Sequence, residues 1–355
     1  MKEIPLYSLI FFHIIITLFV KSNQQTYIIT NENNSLNTFI TTVCIGKPKQ
    51  CFPFQLSTSL RQTMVFSTDI TPLGYHPDKS ETYRRTNTKL GQPYGTLYIL
   101  GSYFYDTLTI ESLNIEFKDF RIVLAEDGIK SNNVFYGVLG LGNTYRAYDT
   151  DISFLSRLFT SDLIKYQTIS LNNRHFYIGN NPLEIQKLYT RKTKRECELN
   201  ISSDIFHCHT QNVMLYNDKE ILYTELEKKL YVEIDQLPIY APANFFSYLV
   251  SNVFNIPFGN GDCKEVYHLS NKGTGIQCND IGREFANNIK LIFFIDQWSM
   301  SFNLKNLFDS NGELYIMKAD LFVNEWRLGQ IVLNKYFISF DKENNKMIFN
   351  TNAFN

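Results

Sequence analysis

Six cysteines are the residues of this chain whose types and spacing point most directly to chemistry. Six cysteines allow 15 connectivities, and we favour the one that joins neighbours in sequence, because each such pair could close a hairpin or a short loop. The predicted pairs are Cys44 with Cys51, Cys197 with Cys208, and Cys263 with Cys278. Metal binding is the alternative, but the chain contains no Cys-x-x-Cys motif, so a zinc site is not expected.

His207 and His209 flank Cys208 and are the remaining candidates for metal ligands. At alternate positions of a strand they would point to one face. Two ligands alone make a poor metal site, so we interpret both histidines as surface or structural residues. We therefore expect neither a metal nor a cofactor.

Two polar turns, one in each half of the chain, interrupt apolar strands in the same way. One is a Ser/Thr turn near residue 57, and the other follows an apolar strand at Glu233. Each turn is followed by a short apolar segment. Much further along the same half of the chain, a second segment contains large residues followed by a glycine. These segments are 63–66 and 137–142 in the first half, and 239–242 and 326–329 in the second. Two similar lobes facing one another would explain the repeat.

The elements that position these turns are predicted to be mainly β-strands. Of the 355 residues, 44% are hydrophobic and 19% are charged, so we expect a folded protein long enough for two lobes. Lys and Arg (34) balance Asp and Glu (35), which argues against a nucleic-acid binder because such a protein needs a basic excess. Alternating polarity predicts strands at 107–110, 117–124, 166–171, 176–178 and 213–215, the best helical candidates are 151–159 and 243–253, and loops are expected at 31–34 and 187–198.

Residues 1–22 are typical of a secretory signal peptide, with a basic start and a short apolar run. An uncleaved signal anchor is the alternative interpretation. Residues 23–38 would then form an N-terminal linker, and the mature protein would be soluble, in a vacuole-like or other lumen or outside the cell. Two glycosylation sequons, at Asn33 and Asn200, fit a secreted chain.

From about residue 39 to its end the chain resembles the pepsin family of eukaryotic aspartic peptidases. Residues 45–50 are similar to the family's turn Ile-Gly-Thr-Pro-Pro-Gln, and residues 56–59 stand where the family has a hydrophobic residue followed by Asp-Thr-Gly. Further matches, in the family's order, are 63–65, 94–96, Gly101, 106–107, 137–142, 326–329 and 336–341.

The resemblance implies a mainly β, bilobal fold with two β-barrel-like lobes, a central cleft and short helices. Residues 39–185 would form the N-terminal lobe, which carries the flap, and residues 186–355 the C-terminal lobe. In the family an extended peptide lies in the cleft and the flap hairpin covers it. The expected partner is therefore a peptide or protein segment, with no nucleic acid and no membrane insertion after signal cleavage.

Four further residues take substrate-binding or bracing roles from the same resemblance. Tyr94, Gly95 and Thr96 match the start of the flap. Thr58 matches the threonine whose hydroxyl braces the two catalytic loops across the lobe interface. Ile234, at the matching position of the second motif, cannot return that hydrogen bond.

The catalytic pair of the family is degraded in this chain. An aspartic peptidase needs one carboxylate from each lobe, because the two share a proton and together activate a water molecule. Lobe one has Ser57 at its position, and a hydroxyl is neither an acid nor a base near neutral pH. In lobe two an ungapped alignment places Glu233 at the second Asp position, and a gapped one places Asp235 there. We prefer the ungapped alignment and expect Glu233 to stay ionised if it is partly solvated, since no second carboxylate would raise its pKa.

Inactivity is therefore favoured over catalysis. The leading hypothesis is a secreted pseudopeptidase that binds a peptide, protein or glycan ligand. One alternative is an active endopeptidase with an unusual dyad, such as Asp235 with Asp69 or Asp106. A second alternative is an inhibitor-type protein on the same fold, since a fold by itself licenses no function.

Overall fold

The computed structural model describes residues 25–30, 39–94, 97–127, 135–142, 153–181, 195–200, 205–268, 273–319 and 324–351. The predicted signal peptide, most of the predicted linker, the loop 31–34 and Asn33 lie outside these ranges. So do Gly95, Thr96, the side chain of Tyr94 and the proposed lobe boundary near residue 185.

Short strands make up most of the described chain, as the alternating sequence predicts. They are β1 (Tyr27–Thr30), β2 (Ile40–Ile45), β3 (Gln50–Ser57), β4 (Met64–Phe66), β5 (Arg84–Tyr94), β6 (Leu97–Ile110), β7 (Ile115–Asp127), β8 (Gly137–Gly140), β9 (Thr168–Leu171), β10 (His175–Ile178), β11 (Arg195–Glu198), β12 (His207–Asn217), β13 (Ile221–Val232), β14 (Ile239–Ala241), β15 (Cys263–His268), β16 (Gly273–Cys278), β17 (Ile289–Ile295), β18 (Trp298–Asn303), β19 (Ile316–Ala319), β20 (Trp326–Leu328), β21 (Tyr336–Asp341) and β22 (Lys346–Thr351).

The α-helices of the described chain are short. They are α1 (Phe154–Thr160), α2 (Ala243–Tyr248), α3 (Asn255–Asn260) and α4 (Asp280–Glu284). The predicted helix at 243–253 ends earlier than expected, because α2 stops at Tyr248 and Leu249–Val253 continues as a π-helical turn. Among the described residues there is no helix with the length and apolarity needed to cross a bilayer.

Two large sheets carry the two polar turns. In the first half the strand order is β2-β3-β8-β4-β7-β6-β5, and in the second half it is β15-β16-β19-β14-β20-β13-β12-β17-β18. The third sheet, with order β1-β10-β9-β21-β22-β11, takes strands from both halves. The bilobal β fold is therefore confirmed, with the addition of a shared sheet that joins the two halves.

The internal repeat corresponds to one strand arrangement that occurs twice. In the first half β3 pairs in parallel with β8, which pairs antiparallel with β4. In the second half β13 pairs in parallel with β20, which pairs antiparallel with β14. Gly140 and Gly329 follow equivalent large residues, and a Cβ at either position would collide with a carbonyl oxygen of the adjoining turn. The close approach of two backbone segments explains why each repeat contains a glycine here.

The three disulfides pair the cysteines as their positions predict. Cys44–Cys51 and Cys263–Cys278 each join directly opposed residues of one hairpin. Cys197–Cys208 instead links β11, in the shared sheet, to β12, in the second-half sheet.

One local prediction needs correction, and a second is decided between its two alternatives. The segment 187–198 was expected to be a loop, yet its last four residues form β11, which adds to the shared sheet beside β22. His207 was expected at the surface or in a structural role; it is 2% exposed and packs its ring 4.7 Å from that of Tyr231. Burial lowers the pKa of His207, so it is an uncharged structural residue. His209 is exposed.

Candidate functional site

The lobe-one turn begins where β3 ends, at Ser57. The Ser57 Oγ atom accepts backbone N–H groups from Ser59 (3.2 Å) and Leu60 (3.1 Å), so the side chain caps its own turn. Ser57 and Thr58 are fully buried and Ser59 is nearly so. This is a local structure that Ser favours, because its short hydroxyl reaches backbone donors two and three residues ahead.

Thr58 connects this turn to the second lobe. Its Oγ1 donates to the backbone carbonyl of Val232 (3.0 Å) and accepts the backbone N–H of Ile234 (3.2 Å). Gln55 adds a third bond between the lobes, from Nε2 to the backbone carbonyl of Asp235 (3.0 Å). Ile234 has no hydroxyl with which to reciprocate, so the bracing threonine comes from one lobe alone.

The backbone places Glu233, rather than Asp235, at the position equivalent to Ser57. Leu56 lies opposite Leu139 in the first repeat, and Val232 lies opposite Leu328 in the second. The next residue after each of these matched positions is therefore Ser57 in lobe one and Glu233 in lobe two.

The Glu233 side chain is engaged in a buried ion pair with Arg327. Arg327 also donates from Nη2 to Glu325 Oε2 (2.9 Å), and its guanidinium lies 4.9 Å from the ring centroid of Tyr231. Burial raises the pKa of Glu233 to about 7, Arg327 opposes that rise, and the negative charge of Asp235 adds to it. The expectation that Glu233 has no carboxylate neighbour is therefore wrong, and the partial solvation on which its ionised state was predicted is absent because Glu233 is fully buried.

Asp235 is the carboxylate of lobe two that faces lobe one. Its Oδ2 accepts the Ser59 hydroxyl at 2.6 Å, and the Ser59 Oγ atom lies 3.0 Å from that of Ser57. Burial raises the pKa of Asp235, while the hydrogen bonds from Ser59 and Ser57 act against that rise. Lobe two thus contributes two carboxylates, Glu233 and Asp235, where the sequence suggested one.

The other acidic residues considered for a dyad lie elsewhere. Asp106 is buried and accepts hydrogen bonds from the Tyr75 hydroxyl (2.5 Å), the Thr82 hydroxyl and the Thr107 backbone N–H (2.7 Å). Asp69 is exposed. Neither contact set includes the two polar turns, so the arrangement gives no support to a dyad built with either residue.

The flap motif falls on the β5–β6 hairpin. Tyr94 and Leu97 are the last paired residues before the tip, and Gly101 lies opposite Leu90 further down. A Cβ at Gly101 would collide with the backbone carbonyl of Leu124 on the neighbouring strand, which explains the glycine.

The roles of Arg327 and Ser59 were not predicted from the sequence. Arg327 had a signal, because it is a charged residue between Trp326 and Leu328 in a buried strand, and such a residue requires a buried partner. Ser59 was treated only as the replacement of a glycine. Among the described residues there is no cluster of three or more His, Cys, Asp or Glu side chains that could hold a metal ion.

What the site can do follows from its charges. At the junction a hydroxyl of lobe one bonds directly to one carboxylate of lobe two, and the second carboxylate is paired to Arg327. Peptidases of this fold use carboxylates from opposite lobes that share a proton, whereas among the described residues of this site both carboxylates come from lobe two.

Comparison with known proteins agrees with the fold. A family model described as eukaryotic aspartyl protease matches residues 38–180. Plasmepsin IV of Plasmodium falciparum is 24% identical over 341 residues, which cover 86% of this chain and 67% of the relative. The two-lobed β fold, the family match over residues 38–180 and the relative together support a relationship to the pepsin-like eukaryotic aspartic peptidases.

Proposed function

We propose that this protein is a secreted, non-catalytic member of its family that binds an extended peptide or protein segment between its lobes. The observation that carries the proposal is the asymmetry of the two polar turns. Lobe one contributes the hydroxyls of Ser57 and Ser59, and lobe two faces them with Asp235 while Glu233 is paired with Arg327. Without a carboxylate from lobe one, no acid–base pair spans the lobes to activate water.

The compartment and the binding surface belong to the same proposal. Three disulfides favour an oxidising environment. On this basis residues 1–22 act as a secretory signal, Asn33 and Asn200 carry sugars, and the protein works outside the cell or in a lumen. Residues 39–185 and 186–355 act as the two lobes, and Tyr94, Gly95 and Thr96 of the flap close over the ligand.

A cleavage assay tests the catalytic half of the proposal. Purified full-length protein is incubated with a denatured protein substrate between pH 3 and 7, and the products are read by mass spectrometry. We expect no cleavage. Cleavage that is blocked by a statine-type inhibitor and lost in D235N would overturn the proposal.

A binding assay tests the other half. Randomised peptides are panned against the full-length protein, and the selected peptides are measured by calorimetry. We expect measurable affinity without turnover, weakened by substitutions in the lobe-one turn such as T58A. Failure of every peptide to bind would remove the binding role and leave inactivity standing.

The S57D variant tests whether the residue at position 57 alone prevents catalysis or whether other positions prevent it as well. It restores a carboxylate to lobe one, at the position that matches Glu233. We expect S57D to remain inactive, because Glu233 is held by Arg327 and Ile234 cannot complete the brace. Gain of cleavage in S57D would show that position 57 alone prevents catalysis.

A further inference from the structure

One face of the second-half sheet carries large apolar side chains that are exposed. Strands β13, β12, β17 and β18 lie side by side in that order. Their register places six such side chains on the same side of the sheet: Met214, Tyr216, Ile221, Leu226, Ile292 and Phe294. We call this surface the apolar face, and we propose that two copies of this chain associate through it. This role is independent of peptide binding between the lobes.

The residues of β17 differ from those of an ordinary solvent-facing strand. A strand that faces water on one side alternates apolar and polar residues, whereas a strand covered on both sides is apolar almost throughout. The burial of β17 alternates strictly, yet Ile292 and Phe294 stand at its partly exposed positions and Lys290 is its single polar residue. The sequence of β17 is therefore that of a strand whose outer side is covered as well.

The side chains of the apolar face take no part in the hydrophobic core. Among the described residues, none of the six belongs to a core cluster or packs against one as a partly buried neighbour. Leu226 is 72% exposed and Ile221 is 55% exposed, and the other four are partly exposed. Contiguous exposed apolar patches on folded proteins mark sites of association, so this surface needs a partner.

The charges around the apolar face favour a second copy of the same chain as that partner. Lys228 and Lys290 lie on this side of the sheet, at its opposite ends. Each is paired with an acid, Lys228 with Glu225 (3.4 Å) and Lys290 with Asp218 (3.2 Å). A balanced rim favours neither a basic nor an acidic partner. Two copies related by a twofold axis, in contrast, meet no uncompensated like charge.

The area of the surface sets the strength of the association. β12 and β13 contain 11 and 12 residues, and β17 and β18 contain 7 and 6. At about 3.3 Å per residue and about 4.8 Å between strands, the four strands cover roughly 570 Å². Weak interfaces bury up to about 600 Å² on each partner. We therefore expect a weak dimer that dissociates on dilution.

Sedimentation of the full-length protein over a concentration series tests the proposal. We expect monomer at about 1 µM and mostly dimer at about 500 µM, because a small interface gives modest affinity. I292E and F294E each place a charge within the apolar face and should weaken the association by at least about 10-fold. L226E should weaken it as well, and it leaves folding intact because Leu226 is 72% exposed.

Two controls separate the apolar face from the rest of the surface. L73E adds the same charge at a leucine that is 65% exposed in lobe one, and it should leave the association unchanged. All six cysteines are in disulfides, so T224C adds one reactive thiol, at an exposed position opposite Met214. A short bis-maleimide should link two T224C chains and give little linked product with T88C, an exposed threonine of β5. Thermal unfolding verifies that each variant is folded.

Three results would overturn the proposal. One is wild-type protein that stays monomeric at every concentration. Another is a dimer that I292E, F294E and L226E leave unchanged, because the two copies would then meet elsewhere. Equal weakening by L73E and L226E would also contradict it, since the effect would then come from net charge rather than from the apolar face.

Discussion

The two polar turns have the same backbone setting and opposite electrostatic character. In lobe one, Ser57 ends β3 and its hydroxyl is satisfied within its own turn. In lobe two, Glu233 follows β13 and is matched by a buried arginine from the adjoining strand β20. The residue equivalent to Ser57 in the second repeat, Glu233, is thus an acidic side chain that needs a positively charged partner. One half of the junction is neutral and locally satisfied, and the other is a buried ionic network.

This difference shows how the junction accommodates a buried charge in one turn while the other turn carries none. A buried charge is tolerated when it is paired and hydrogen-bonded. Arg327 neutralises Glu233, and Glu325 and the Tyr231 ring accommodate the remainder of the guanidinium. The inter-lobe bonds of Thr58 do not depend on either charge and are retained.

Removing Arg327 should have the largest effect. R327M leaves Glu233 buried without its counter-charge, so we expect a loss of about 3–5 kcal/mol of unfolding free energy at pH 8. Urea denaturation measures it. As a matched control, R84M breaks the exposed Arg84–Asp119 pair and should cost less than about 1 kcal/mol. Removing both charges in R327M/E233M should recover most of the loss, and an equal loss in the single and double variants would contradict the pairing.

The unfolding free energy should depend on pH through Glu233, which titrates, whereas Ser57 does not. The pKa of Glu233 is about 7 in the folded protein, against an ordinary value of 4.5. Between these values the folded protein holds a proton that the unfolded chain releases. Its contribution is therefore fully present below pH 4.5 and is lost as pH rises through about 7, by about 3 kcal/mol.

E233Q should remove that part of the profile, because glutamine does not titrate. The measurement is the difference in unfolding free energy between wild type and E233Q from pH 4.5 to 8. S67A, which removes a buried serine hydroxyl outside the two polar turns and removes no charge, is the control and should leave the slope of the profile unchanged. Parallel profiles for wild type and E233Q would show that Glu233 keeps an ordinary pKa.

Replacing the equivalent glycine of either repeat with alanine should lower the unfolding free energy by a similar amount. In G140A the new methyl group meets the backbone carbonyl of Gln62, and in G329A it meets that of Pro238. We expect each to lose about 2 kcal/mol, because backbone cannot move aside as a side chain can. G259A is the control, since a Cβ there meets nothing within 4 Å. A large difference between G140A and G329A in thermal denaturation would contradict the equivalence of the repeats.

The smallest effect is expected at the brace. T58A leaves the Val232 carbonyl and the Ile234 N–H without their partner, which should cost about 1–2 kcal/mol. T58S keeps the hydroxyl and should cost less than about 1 kcal/mol. Chemical denaturation compares the two, and equal losses would assign the role of Thr58 to its methyl group.

Much of the fold could be predicted from local sequence. Strand alternation, the repeated order of turn, strand and glycine, and the short cysteine separations all depend on residues close in the chain. The prediction at 187–198 was partly wrong because residues 195–198 have little strand pattern of their own; β11 forms by pairing with β22, some 150 residues away. The sequence left open whether His207 is a surface or a structural residue for a similar reason, since its burial depends on the ring of Tyr231 in another strand.

By itself, the sequence determined that lobe one has no acid at position 57, because residue type needs no coordinates. It also determined the repeat that relates Ser57 to Glu233. Only the tertiary structure decided which partners the carboxylates of lobe two have. Glu233 forms an ion pair with Arg327, and Asp235 accepts a hydrogen bond from Ser59. Contacts of this kind join residues as much as 176 positions apart, and the direction of a side chain at a turn follows from packing rather than from its place in a motif.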